Sequence, residues 1–597
     1  MKPSGNSNKR VRASRPVAYA TSPLLASKAP VWRSRVVVVT LALAFMGLVA
    51  RAAHVQVFGN DFFLRQGEVR YARTLDLPAN RGKIVDRNGL ILASSVPAAS
   101  IWAIPEDVRQ GDDGADVQKQ LAQLARLLNM PLKDLQARLS DEDKTFVWLR
   151  RQLDWELGQE IMALKINGIH LRKEYKRQYP EGEAAAHIVG FTNVEDQGQE
   201  GVELAYNQTL GGKAGSRRVI RNRLGQIVES VGDTVAPVDG QDVQLSIDSK
   251  VQFFASQKLA EQVAAHKAKA GSVVVLDARS GEILALANYP SFDPSARRNL
   301  TGDQLRNRAL TDVFEPGSVM KPITVAMALE AGLVGPKTPI NTSPGFITVT
   351  GAKLSDVRNF GTLTVEGIIQ KSSNVGTTKL AQMMESRYMW DVFAATGFGE
   401  RPQIGFPGVA SGNLRPWKTW RPVEKATMSY GYGLSASLLQ MARSYTVFAN
   451  DGVLLPATLL KRSQPPVGVQ VFSSKTARAV RHMLMLAAAP GGSGQRAQTV
   501  GYSVGGKSGT ARKQIGRHYA ANKYRSWFVG MAPMENPRII VAVMIDEPSA
   551  GQYYGGAVAA PVFSQVVQQS LRLLGVQPDM DVKPQIIATG VDEEVLQ

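Results

Sequence analysis

Ser318-Val319-Met320-Lys321 places a hydroxyl three residues before an amine; Ser372-Ser373-Asn374 adds two hydroxyls and an amide; Lys507-Ser508-Gly509-Thr510 adds a second amine and two more hydroxyls. In that order they supply a nucleophile, a base, a proton relay and a cradle for an oxyanion and a carboxylate, the parts of an acyl-transfer site. Pro322 has no N–H, so a helix tolerates it only near its first turn, which sets Ser318 at or beside a helix N-terminus. There the unpaired N–H groups and the positive dipole end favour a developing oxyanion. The i, i+3 spacing puts Lys321 one turn on along the same face. Desolvated and near other cations, its amine can lose a proton and serve as base. Ser372 can relay a proton between Lys321 and a leaving amine, and Asn374 can hold a substrate carbonyl. Alone, an S-x-x-K on a surface helix or a Ser-Asn pair at a helix junction carries little weight. The ordered set of three carries much more.

The third segment matches other patterns too. Gly501 to Ser508 reads as a phosphate-binding loop, and Arg538 to Asp546 as an apolar strand ending in an acid. Such a loop must open a helix with an apolar stripe, but Gly509–Tyr524 is polar and interrupted by Gly516. Gly501-Tyr502-Ser503-Val504-Gly505 mimics a nucleophile elbow, yet no acid lies between Ser503 and His518 and the helix is again missing. As a strand the segment fits. Gly505, Gly506 and Gly509 let backbone approach a ligand closely. Lys507 brings positive charge, Ser508 and Thr510 share one face and offer hydroxyls to a carboxylate, and the Thr510 and Ser318 N–H groups would form the oxyanion hole. The six histidines show no metal spacing and cysteine is absent, so no metal site or cofactor is expected.

The elements that must position these residues can be read coarsely. Val243–Ile247 is an alternating strand and Lys250–Ala268 a helix. Gly271–Leu276 and Glu282–Ala287 make a strand–turn–strand around Ser280-Gly281. Helical segments dominate 320–450, and three strands, Gln498–Ser503, Ser526–Met531 and Arg538–Ile545, close the unit. Strands at both ends with helices between imply an α+β layer structure with one largely antiparallel sheet. Upstream, Arg81–Gly89 is a strand ending in an Asn-Gly turn. Residues 115–165 have helical periodicity, with leucines 121, 124, 127 and 128 on one core-facing stripe.

At 597 residues the chain needs at least two domains. The net charge of +19 is partly local: eight Lys and Arg residues, and no acid, precede the apolar run Val36–Ala50. No nucleic-acid motif accompanies them. Extended through Val31 and Trp32 on one side and to Phe58 on the other, the run is long enough to span a membrane. The positive-inside rule then leaves the N-terminus in the cytoplasm and exports the rest. A cleavable signal peptide is the rival reading, with Ala50-Arg51-Ala52 as the site, but its Arg and the long basic region fit poorly.

S-x-x-K, S-x-N and K-[ST]-G together form the motif set of penicillin-binding proteins and serine β-lactamases. Beyond them, the chain resembles the class B penicillin-binding proteins, most closely the septal peptidoglycan D,D-transpeptidases (the FtsI, or penicillin-binding protein 3, family). The likeness includes Arg81–Gly89, Arg177–Pro180, Gly201-Val202-Glu203, Arg308–Pro322, Tyr430-Gly431-Tyr432-Gly433 and Tyr553-Tyr554-Gly555-Gly556. It implies a basic cytoplasmic tail (1–35), a transmembrane anchor (36–57) and a mixed α/β pedestal of the dimerisation type (58–235). A transpeptidase domain with a five-stranded antiparallel sheet covered by helices (236–576) and an acidic tail (577–597) follow. It further implies attack by Ser318 on stem peptides ending in D-Ala-D-Ala, with Lys321 as base, Ser372 as relay, Asn374 positioning the substrate amide, Lys507 in the site, and Ser508, Gly509 and Thr510 holding the terminal carboxylate. Acylation by β-lactams, a bacterial inner-membrane location with the catalytic domain periplasmic, and a polytopic glycosyltransferase partner of the FtsW type beside other division proteins belong to the same expectation. An elongation-type transpeptidase is the alternative within the family. A β-lactamase is disfavoured because E-x-x-L-N does not occur, and a β-lactam sensor because there is a single span.

Overall fold

The computed structural model describes residues 30–58, 72–109, 115–140, 144–221, 227–230, 233–516 and 518–581. Most of the expected basic tail, a stretch after the expected anchor and most of the expected acidic tail lie outside the described residues. Two compact units are present. The smaller holds helix α1 (Val31–Ala53), continued by a π turn (His54–Phe58), and a three-stranded sheet of Ala72–Leu77, Gly215–Arg221 and Ile227–Ser230, the second in the middle. The stretch Val31–Gln56 is 26 residues of apolar helix, long enough to cross a membrane.

In the larger unit the first layer is a sheet of β1 (Ile84–Val85), β2 (Ile91–Ala103), β3 (Val147–Asp154), β4 (Ile169–Gln178) and β5 (Val243–Gln244), in which β2 pairs β1, β3 and β4 antiparallel and β5 joins β1 in parallel. Helices α2 (Ala115–Leu127), α3 (Leu132–Leu139) and α4 (Trp155–Ala163) pack on it through Leu121, Leu124, Leu128, Leu135 and Ile161. The leucine stripe faces this core as expected. The helical periodicity does not run through to residue 165, however, because β3 interrupts it and takes its register from β2. Helix α5 (Gly182–Val189) completes the layer. Glu203 is fully buried between two guanidiniums, with Arg81 Nε and Arg177 Nε each 2.6 Å from its carboxylate. The three pedestal segments singled out in the sequence thus meet in one ion triad, whose charges are tolerable only because they pair.

The junction to the second layer is polar and specific. Asp86 accepts from Asn88 N (2.7 Å), Leu90 N (2.9 Å) and the Ser249 hydroxyl (3.0 Å). The Asn88 amide donates to Asp248 at 3.0 Å, and Asp248 caps helix α6 (Ser249–Ala265) by accepting from Lys250 N and Val251 N.

The second sheet runs β7 (Ile283–Tyr289), β6 (Ala270–Asp277), β10 (Ile539–Asp546), β9 (His518–Ala532), β8 (Gly505–Ile515), all neighbours antiparallel. Every residue of β6 and β10 is buried, so both faces are covered. Val273, Val275, Val541 and Val543 point to α6 and α11 (Ala560–Leu573), and Val274, Leu276, Ile540 and Ala542 to a helical lobe. That lobe carries α7 (Lys321–Glu330), α8 (Val365–Lys371), α9 (Asn374–Gln382) and α10 (Ser474–Ala488). The expected strand Gln498–Ser503 is not formed. Gly501 adopts φ +84° and Thr499 bridges to Tyr502, so those residues turn, and the edge strand begins at Gly505.

Candidate active site

Ser318 lies in a single 3-10 turn, Gly317–Met320, that runs directly into α7, with Pro322 in the first helical turn where its missing N–H costs nothing. The turn is locked from three sides. Gly317, at φ +62°, donates to Gly431 O at 3.0 Å; Phe314 and Ala436 exchange two backbone bonds of 3.0 Å; and Glu315 accepts from Gly433 N at 2.8 Å and from the Tyr519 hydroxyl at 2.9 Å. A side chain at Gly431 would meet Gly317 backbone at 2.1 Å, which is why only glycine fits there. Ser318 itself is half-buried, and among the described residues its hydroxyl forms no hydrogen bond.

One turn on, Lys321 is fully buried. Its Nζ lies 2.5 Å from Ser372 O, 2.7 Å from Asn374 Oδ1 and 3.2 Å from Ser372 Oγ. The two carbonyl oxygens can only accept, so a neutral amine would spend both N–H bonds on them and keep its lone pair for a hydroxyl proton. Burial holds the Lys321 ammonium well below the usual lysine range; the nearby Lys507 charge pushes the same way and Asp356 opposes. Asn374 is fixed by donating its amide to Ser355 O at 2.9 Å. Ser372 sits between α8 and α9 in a left-handed conformation, φ 60°, a departure of about 1–3 kcal/mol that the surrounding bonds must hold.

Asp356 supplies much of that hold. It accepts from the Ser373 hydroxyl at 2.6 Å, from Val375 N at 3.0 Å and from Asn374 N, so it caps α9 and faces Lys321 as a counter-charge. The sequence offered no sign of it, since the contact crosses a hairpin, Phe346–Val349 against Ala352–Ser355, unrelated to any motif. Ser493 escaped notice too. Its hydroxyl is 3.2 Å from Lys507 Nζ and its carbonyl 3.2 Å from the Ser508 hydroxyl. Only the glycines around it, at 491, 492 and 494, hinted at a close approach.

The Lys-Ser-Gly-Thr segment opens edge strand β8 against the Ser318 turn. A methyl group on Gly509 would stand 3.0 Å from Pro316 O and 3.4 Å from Val319 N. Lys507 is fully buried, and burial pushes its ammonium down to about 7. Thr510 Oγ1 accepts from Gly555 N at 3.0 Å, which ties the Tyr-Tyr-Gly-Gly segment to this strand. The fold therefore brings Ser318, Lys321, Ser372, Asn374, Lys507, Ser508, Gly509 and Thr510 into one region, from segments nearly two hundred residues apart. It offers a hydroxyl, a desolvated amine, a second hydroxyl within reach of that amine, and backbone N–H groups of an edge strand beside a helix N-terminus.

Comparison with known proteins agrees with this chemistry. Residues 271–568 match the penicillin-binding protein transpeptidase domain, and residues 76–245 the penicillin-binding protein dimerisation domain. The chain is 44% identical to a probable peptidoglycan D,D-transpeptidase PenA of Neisseria meningitidis, over 91% of this chain and 93% of the relative. It is 39% identical to the peptidoglycan D,D-transpeptidase FtsI of Escherichia coli, over 92% and 93%. Among solved structures, the transpeptidase domain of Burkholderia pseudomallei penicillin-binding protein 3 is 52% identical, with a TM-score of 0.53, covering 56% of this chain and 98% of that one.

Proposed function

The chain belongs to the penicillin-binding protein transpeptidases and is a peptidoglycan D,D-transpeptidase, and we propose that Ser318 is its nucleophile and Lys321 its base. Ser318 Oγ attacks the penultimate carbonyl of a stem peptide ending in D-Ala-D-Ala while its proton passes to the Lys321 amine. The oxyanion is held by the Ser318 and Thr510 N–H groups. Collapse breaks the peptide bond, and the proton reaches the departing D-alanine amine through Ser372. The acyl-enzyme is then attacked by an amine of a neighbouring strand, which restores Ser318 and closes a 4→3 cross-link. Asn374 orients the substrate amide, and Lys507, Ser508 and Thr510 face its carboxylate. β-Lactams acylate the same hydroxyl.

The observation that carries this reading is the buried Lys321 amine, 2.7 Å from Asn374 Oδ1 and 3.2 Å from Ser372 Oγ. Labelling with a fluorescent penicillin, followed by peptide mapping, tests it. The adduct is expected on Ser318, to persist for many minutes, and to vanish in Ser318→Ala with the fold intact; an adduct on another residue refutes the assignment.

Within the family we place the chain at the division septum, on the likeness of Tyr553–Phe563 to septal members. There α1 would anchor it in the inner membrane, basic side inward, against an FtsW-type glycosyltransferase and other division proteins. Depletion should yield filaments; rounded cells would indicate the elongation machinery instead.

A further inference from the structure

In the pedestal one buried guanidinium nitrogen has no hydrogen-bond partner among the described residues. Arg177, only 8% exposed, uses Nε on Glu203 and Nη1 on the Ser95 hydroxyl at 3.0 Å, while its Nη2 has no hydrogen-bond partner among the described residues. A buried donor left unmet is costly, so such a group asks for a ligand. Two residues on, the Tyr179 oxygen accepts from Thr192 N at 3.0 Å and lies beside the Thr192 hydroxyl. Burial and the Glu203 charge push that phenol up to about 12, so it keeps its proton.

Both side chains line one cavity of 480 Å³, lined also by Pro294, Ser295 and Arg297. Arg297 stacks on Phe191 at 4.8 Å and donates to Thr192 O, which aims its guanidinium. Lys176 also lines the space, with the exposed Asp154 at 3.8 Å. Three cations and no carboxylate therefore surround the cavity. Glu203 is shared by Arg81 and Arg177, and Asp196 lines a neighbouring cleft with Arg81. Converging donors on a positive wall suit an oxyanion, and guanidiniums suit one with two or more oxygens.

We propose that the cavity between Arg177, Tyr179 and Arg297 is an anion site that takes a phosphate or carboxylate group, separate from the acylation site. In a cell-wall enzyme such groups arrive on the diphosphate of a lipid-linked precursor or on stem-peptide carboxylates. An occupant would tie β4 to the loop after β7.

The test is calorimetric titration of the full chain in detergent with inorganic pyrophosphate and, separately, glutarate. Binding of either probe, weakened about tenfold or more by both Arg297→Gln and Tyr179→Phe, supports the site. Preference for pyrophosphate identifies the phosphate source, and preference for glutarate the carboxylate one. Penicillin labelling at Ser318 should be unchanged in both variants, which shows that they fold. Absence of binding by either probe, or binding that both variants leave intact, overturns the proposal.

Discussion

Two buried ammonium groups within each other's field raise the cost of protonating either one. Burial, reinforced by the Lys507 charge, favours the neutral Lys321 amine, the form a base must take, and Asp356 works against this by favouring its protonated form. Asp356→Asn should therefore lower the Lys321 pKa further. The acid limb of the penicillin acylation profile would move to lower pH, not higher, because the base is then free of its proton in more acidic solution. The substituted amide keeps one acceptor for Asn374 N and Val375 N, so stability should fall by about 1 kcal/mol, the usual worth of a helix cap. Stopped-flow acylation across pH, paired with thermal unfolding, measures both, and an acid limb moved upward would contradict the electrostatic account. On the alkaline side, Lys507 loses its charge near 7, so attraction for a carboxylate should weaken above that pH. A Lys507→Gln variant should lack this alkaline limb.

At the scale of elements, the edge strand β8 has to lie almost in contact with the turn that carries the nucleophile, and Gly509 is what permits it. A Cβ there would press on the backbone oxygen of Pro316 at 3.0 Å, and neither backbone can yield as a flexible side chain would. Gly509→Ala should keep the fold, shift β8 by a few tenths of an ångström, and slow acylation roughly tenfold to hundredfold, since small misplacements weigh heavily on a preorganised site. Unchanged acylation kinetics would mean that the strand has slack. Elements like β8 were only partly legible from sequence. The Lys-Ser-Gly-Thr motif required a strand, and the apolar runs of β6 and β10 announced themselves, as did the helix α6. The turn at 498–503 did not, because its Val and Tyr have strand propensity and only the positive φ of Gly501 overrules it. Nor did β3 stand out from the helical pattern around it, since its pairing with β2 is a tertiary fact. Asp356 and Ser493 stayed hidden for the same reason: their partners lie across loops, where spacing carries no information.

Over the larger unit as a whole, the pedestal and the catalytic layers are joined by buried polar groups, and one of these titrates. His187 of α5 stands edge-on to Phe292 at 5.3 Å, and its Nε2, as N–H, donates to Gln304 O at 2.7 Å. Burial holds its pKa down at about 4, against 6.5 for a free imidazole, and the nearby Arg308 charge pushes the same way. The unfolded chain therefore binds this proton first. The contribution of His187 to stability is whole above about 6.5, declines as pH falls towards 4 and changes no further below that. Integrated over the interval, the loss is at most roughly 3 to 4 kcal/mol, taking about 1.4 kcal/mol for each pH unit between the two values. Denaturant unfolding of the full chain in detergent at a series of pH values would show this slope together with that of the titrating carboxylates, so the informative quantity is a difference. His187→Gln, which can still donate to Gln304 O, should cost some stability at neutral pH and remove the histidine's share of the slope, bringing the two curves together near pH 4. Parallel curves across the whole interval would mean that this joint does not exclude the proton, and that the junction between the layers is wetter than its packing implies.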